Sequence, residues 1–130
     1  MNSDARKSRK FDSLRRTATK RMIDEQEFHR RSDEALHNLY RALGKASDDH
    51  EFEVDFGGTL TVEFEDPPTK FVVSPNSPVR QIWVSAHSKS FKLDWDPTRG
   101  EFILPESGQS LKALMQDAVS QRLGEPVQLS

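Results

Sequence analysis

Between Glu51 and Leu104 the apolar residues recur at every second position in short runs, and on both sides of that stretch they recur at helical spacing. From about Asp24 to Lys45, the residues Phe28, Ala35, Leu36, Leu39, Ala42 and Leu43 fall on one stripe at about 100° per residue, with Gly44 near the expected stop. A second amphipathic helix follows Ser110, a suitable N-cap, with Leu111, Leu114, Met115, Ala118, Val119 and Arg122 along one side, and Gly124-Glu125-Pro126 ends it. The stretch between reads as strands. Phe52, Val54 and Phe56 alternate with Glu51, Glu53 and Asp55. Gly57-Gly58 then turns the chain into Leu60, Val62 and Phe64, which alternate with Thr61, Glu63 and Glu65. Residues 70–74 predict a third strand, broken by Pro75-Asn76-Ser77-Pro78, and residues 80–86 a fourth with Ile82, Val84 and Ala86 inward. Residues 90–96 predict a fifth with Phe91, Leu93 and Trp95 inward, and 102–104 a short sixth. Helix, antiparallel meander of about six strands, helix is an α+β sandwich, both helices covering one face of the sheet and the other face left to water.

With 130 residues the chain can bury a core without staples, and no apolar run approaches the ~18 residues of a membrane span. It contains no cysteine, which excludes disulfides, thiolate metal sites and thiolate-held clusters, so any metal must sit on carboxylates or histidines. Charge divides the chain. Residues 1–21 hold eight Lys and Arg against Asp4 and Asp12, a net +6, and the rest holds the other 11 basic and 19 acidic side chains, a net −8. The basic segment has too few apolar residues to offset the entropy of ordering, so the chain is expected to comprise a disordered extension, 1–21, and one domain, 22–130. The extension reads as a species-specific tail, as the product of a start assigned too early (Met22 opens a segment that looks like an N-terminus), or as a presequence, a reading its two Asp residues oppose.

Three places carry candidate chemistry. The alternation that buries Ile82, Val84 and Ala86 sends Trp83 to the solvent face beside Gln81 and Ser85. Such a Trp is either covered by loops and cross-strand neighbours or is a partner-binding hot spot, with Gln81 and Asn76 supplying adaptable hydrogen bonds around it. Glu51, Glu53 and Asp55 form an acidic row led in by Asp48 and Asp49, with His50 beside them. Same-face strand residues stand about 7 Å apart, too far for one tight ion site and suited to loose, mostly aqueous binding of hard cations. The same row also serves as a solvated face that keeps a sheet edge from aggregating, or as a surface for an Arg-rich partner. His29, Asp33 and His37 at i, i+4 and i+8 share one side of the first helix, a spacing that fits metal ligands and equally an ordinary polar flank. Catalytic constellations are missing: there is no nucleophile elbow, no Gly-rich phosphate loop and no H-E-x-x-H.

The segments LTVEF at Leu60–Phe64 and KFVVSPNSPVRQIWVSA at Lys70–Ala86, ending in Gln-aliphatic-Trp-aliphatic-Ser at Gln81–Ser85, closely resemble the central signature of the frataxin family. EFHRRSDEAL at Glu27–Leu36 resembles the first helix of the bacterial members, KLDWD at Lys92–Asp96 the fifth strand, and GQSLKALMQDAV the second helix; together the likeness covers about residues 22–130. The resemblance implies a non-enzymatic iron chaperone or regulator of iron-sulfur cluster assembly. Such a protein binds Fe2+ and Fe3+ weakly on an acidic ridge and contacts the cysteine desulfurase and the scaffold protein. Its expected place is the cytoplasm, or the mitochondrial matrix for a eukaryotic source, and its expected state a monomer, with an iron-dependent oligomer as the variant. On that basis Glu51, Glu53 and Asp55 match the strand half of the ridge, His29 a histidine of the bacterial first helix, and Asn76, Gln81 and Trp83 the partner-facing sheet. One departure stands out: where most members carry the helical half of the ridge, this chain has Tyr40, Arg41, Gly44 and Lys45. Weaker iron binding, shifted toward residues 48–55, is expected. The glycine-bearing turn before the fifth strand is also replaced, by His87-Ser88-Lys89-Ser90.

The competing function classes are a ferroxidase or iron-storage oligomer and an electrostatic nucleic-acid binder. The first wants clustered Glu and His from facing helices, with an E-x-x-H on each of two of them, and the pair is absent: the spacing occurs once, at Glu34–His37. The second wants exposed aromatics interleaved with basic residues and would rest on the extension alone.

Overall fold

The computed structural model describes residues 23–129; the basic extension expected at 1–21 lies outside the described residues. Helix α1, Glu25–Ser47, starts where Asp24 accepts a hydrogen bond from the Glu27 amide at 2.8 Å. It buries Phe28, Ser32, Leu36, Leu39, Ala42, Leu43 and Ala46. Gly44 does not stop it. The helix runs on to Ser47 because Ala46 still packs on the core and the Ser47 hydroxyl donates to the Gly44 carbonyl at 2.8 Å.

The meander follows as β1 (Glu53–Phe56), β2 (Leu60–Phe64), β3 (Thr69–Asn76), β4 (Gln81–Ala86), β5 (Lys89–Asp96) and β6 (Glu101–Ile103), each antiparallel to the next in one six-stranded sheet. Helix α2, Leu111–Leu123, is capped by the Ser110 hydroxyl, which accepts from the Ala113 amide at 3.2 Å. Gly124, in the left-handed region at φ 71°, closes it by donating to the Ser120 carbonyl. The core lies between the helices and one sheet face. Across that face run the rows Val54, Val62, Phe71 and Leu60, Val73, Val84, Phe91, followed by Ile82, Leu93 and then Trp95, Phe102.

Several boundaries differ from the pattern-based expectation. Glu51 and Phe52 precede β1, where the Phe52 amide bonds back to the His50 carbonyl and its ring packs on Phe64. Strand β3 is not broken at Pro75: Pro75 pairs with Ile82 and Asn76 with Gln81. The pairing of β2 with β3 ends at Leu60 and Val73, so β3 has a neighbour on one side only at Pro75, and a residue without an N–H is tolerated there. A turn of 3-10 helix at Ser77–Val79 follows and Arg80, at φ 55°, closes it, which delays β4 to Gln81. Strand β6 lies one residue earlier than expected, because Phe102 must face Trp95 on the core side.

The β4–β5 turn is two residues long, with His87 at φ 53° and Ser88 at φ 62°. That is the conformation a tight hairpin needs, and it is usually supplied by glycine or asparagine. His87 compensates by donating from Nε2 to the Ala118 carbonyl at 2.9 Å and by setting its ring edge-on to Phe71.

Beyond α2 the chain returns to the core, where Val127 and Leu129 are buried. Their amides donate to the Ser120 hydroxyl at 3.0 Å and to the Gln116 side-chain oxygen at 2.9 Å. The alternation along the chain carries no sign of this tail, which is too short to show a period.

Candidate functional site

The open sheet face is built by the residues that alternate with the core. Its central rows are Asn76, Gln81, Asp94 and Ser74, Trp83, Lys92, flanked by Val72, Ser85, Ser90. Trp83 is 37% exposed. Its ring is held, not loose: the indole N–H donates to Gln81 Oε1 at 3.0 Å, the Gln81 amide donates to Asp94 Oδ1 at 3.0 Å, and Lys92 Nζ sits 4.8 Å from the ring centroid. Asn76, Gln81, Trp83 and Ser85 therefore form one contiguous patch whose aromatic centre is pre-oriented by two hydrogen bonds in series. Such an arrangement offers a partner a large rigid surface with little left to order.

At the β1 end of the same face the surface turns acidic. Glu53 stands opposite Glu63, a like-charge pair that is unfavourable unless a cation intervenes, and Lys70, opposite Glu63 on the other side, approaches it to 3.8 Å. Beside this row opens a cleft of about 1070 Å³ lined by His50, Glu51, Glu53, Glu63, Glu65 and Asp66, with Arg122 at its wall. Arg122 is not free for ligands. Its guanidinium donates to the carbonyls of Glu65 and Pro67 and to the Thr69 hydroxyl, and lies over the Phe64 ring, so it fastens the β2–β3 turn.

The acidic residues singled out in the sequence are only partly united. Glu51 and Glu53 line the cleft and Asp55 lies further along the strand, opposite Thr61. Asp48 and Asp49 finish α1, their amides bonded to the Lys45 and Ala46 carbonyls. His50 turns from the row to Glu125, 2.6 Å away. Glu63, Glu65 and Asp66 were not among the sequence candidates. Their signal was the alternation of β2, but only the hairpin register sets Glu63 against Glu53.

On α1 the expected trio is only partly united: Asp33 Oδ1 lies 3.7 Å from His37 Nδ1, and His29 turns to other partners. His37 Nδ1 lies 3.0 Å from the Asp33 carbonyl oxygen and the ring stands edge-on to Phe56, whereas His29 Nε2 lies 3.6 Å from Glu25 and 3.4 Å from the Ser77 hydroxyl. Among the described residues, no three His, Asp or Glu side chains converge as a set that could hold one ion.

The chain matches the family described as "Frataxin-like domain" over residues 21–125. It belongs to the frataxin family. Among its relatives is the "Iron-sulfur cluster assembly protein CyaY" of Pseudomonas aeruginosa, 35% identical over 100 residues, which cover 72% of this chain and 92% of the relative. The protein of the same name from Azotobacter vinelandii is 29% identical over 109 residues, 82% of this chain and 94% of the relative. A plant relative, "Frataxin, mitochondrial" of Arabidopsis thaliana, is 28% identical over 114 residues, 84% of this chain and 60% of its own length. The solved frataxin of Psychromonas ingrahamii superposes with a TM-score of 0.71 at 19% identity, covering 83% of this chain and 99% of that one, a likeness of fold.

The C-terminal half of α1, from Leu36 to Ser47, carries no acidic side chain. Tyr40, 38% exposed, leans on Phe56, and Arg41 bonds to the Asn38 side chain. The surface beside β1 is thus aromatic and basic, and negative charge concentrates on the other side of β1, toward β2 and the β2–β3 turn.

Proposed function

We propose that this frataxin serves iron-sulfur cluster assembly as a binding protein and not as an enzyme, carrying iron or regulating its use while docked on the cysteine desulfurase and its scaffold. The observation that supports this most is the exposed Trp83, oriented by Gln81, Asp94 and Lys92 on a sheet face that has its acidic end within the same surface. The relatives named as iron-sulfur cluster assembly proteins point the same way.

Iron is cargo in this reading. Glu51, Glu53 and Asp55, with Glu63, Glu65 and Asp66 across the cleft, offer hard oxygen ligands spread over a surface, which favours loose, hydrated binding of Fe2+ or Fe3+. Asp48, Asp49, His29 and Asp33 contribute at most outlying positions. The same carboxylates suit an Arg-rich patch on the desulfurase, so cargo and partner would share part of the face. The working compartment is that of the desulfurase, the cytoplasm in a bacterial source and the mitochondrial matrix in a eukaryotic one. No helix among the described residues is long and apolar enough to cross a membrane.

Affinity capture from the source cells, followed by titration of the purified desulfurase against wild type and Trp83→Ala, tests the proposal. Recovery of the desulfurase with wild type and its loss with the variant is expected. A wild-type protein that neither captures nor binds a desulfurase would overturn it.

A further inference from the structure

Asp94 lies inside β5, where aspartate is a poor strand former, and its half-buried carboxylate forms no ion pair among the described residues. Lys92, two residues away on the same face, sets its ammonium over the Trp83 ring instead. What Asp94 does hold is Gln81, its direct partner across β4 and β5, whose amide donates to Asp94 Oδ1 at 3.0 Å. A glutamine amide has two orientations of nearly equal shape, which exchange donor for acceptor. With Nε2 turned to Asp94, Oε1 meets the Trp83 indole N–H at 3.0 Å. In the other orientation a carbonyl oxygen would face the carboxylate, and an amide donor would face the indole donor.

We propose that Asp94 is a positioning residue of the docking patch: its carboxylate selects the amide orientation of Gln81, and through it holds the Trp83 ring in the pose a partner meets. The role rests on docking of this sheet face to the desulfurase, as proposed for the protein's function. Gln81, Trp83 and Asp94 stand at fixed register on two adjacent strands inside the sheet, so the sheet itself sets the relay and no loop has to order first. Without an acceptor opposite Gln81 both amide orientations are open and the indole N–H loses its partner part of the time. Binding must then immobilise a ring that the free protein no longer holds. Because the indole donor is engaged within the protein, the partner sets an apolar or flat side chain against Trp83, not a hydrogen-bond acceptor.

The chain holds two tryptophans, so NMR of the full chain shows two indole N–H signals, that of Trp95 serving as the internal reference. Asp94→Val removes the acceptor with a better strand former and so keeps β5 intact. In this variant, solvent exchange of the Trp83 indole proton is expected to quicken and desulfurase binding to weaken about fivefold. Asp94→Asn keeps a carbonyl oxygen opposite Gln81 without the charge, and is expected to bring both readouts back to within about twofold of wild type. A binding loss in Asp94→Asn as large as in Asp94→Val overturns the proposal, because the partner then reads the charge itself. Unchanged indole exchange or unchanged binding in Asp94→Val also overturns it. A wild type that binds no desulfurase overturns the docking and the positioning role with it; exchange rates, measured on the free protein, tell that failure apart from failure of the relay.

Discussion

Removing the indole of Trp83 separates binding from stability, and Trp95 is its control within the same molecule. Truncating a fully buried Trp to alanine costs about 3–5 kcal/mol, the sum of lost transfer energy and the cavity left behind. Trp83 is 37% exposed and its cover is the Lys92 chain and the flat sheet, so no enclosed cavity forms when the ring goes. What remains is a reduced transfer term and the hydrogen bond to Gln81, together about 1–2 kcal/mol. Trp95 differs. Its half-buried ring sits edge-on to Phe102 at 5.1 Å, under the Arg31 guanidinium at 5.1 Å, and Phe102 packs in turn on Phe28 of α1. Trp95→Ala therefore opens a gap between sheet and helix and should cost about 3 kcal/mol. For desulfurase binding the order reverses: Trp83→Ala should lose about 2 kcal/mol, roughly 30-fold in Kd, and Trp95→Ala should change little while folded. Urea denaturation of both variants beside a calorimetric titration reads both quantities. The reasoning fails if Trp83→Ala unfolds as easily as Trp95→Ala, or binds the desulfurase like wild type.

Three further outcomes follow from the same geometry. Iron should bind in the micromolar-or-weaker range and broaden the amides of Glu51, Glu53, Asp55, Glu63, Glu65 and Asp66; broadening confined to His29, Asp33 and His37 would move the site to α1. Deleting residues 127–130 exposes the sites of Val127 and Leu129 and removes two amide hydrogen bonds, which should lower stability by about 3–5 kcal/mol in a denaturant titration; a loss under about 1 kcal/mol would mean that the tail only rests on the core. A chain beginning at Met22 should melt within a few degrees of the full chain at physiological salt, since exposed charge contacts contribute little there; a drop of many degrees would show that the extension is part of the packed domain.

Element type and order were legible along the chain because both periods are local. The stripe from Phe28 to Leu43 and the alternation through Leu60, Val62 and Phe64 can be read from residues a few positions apart, and the outward direction of Trp83 follows from Ile82 and Val84 beside it. The resemblance to the frataxins rested on the same stretch.

Contacts between distant segments decided the rest. Register set Glu63 against Glu53 and gathered Glu65 and Asp66 around the cleft, so the acidic centre moved toward β2. Which neighbour β3 has at Pro75 decided that the strand continues to Asn76. His50 left the acidic row because Glu125, 75 residues away, comes within 2.6 Å of it. Val127 and Leu129 became core only because Gln116 and Ser120 on α2 give their amides partners and the core has room for their side chains. Periodicity tells a residue which way to face; what it then meets depends on the packing of segments that the chain brings together only when folded.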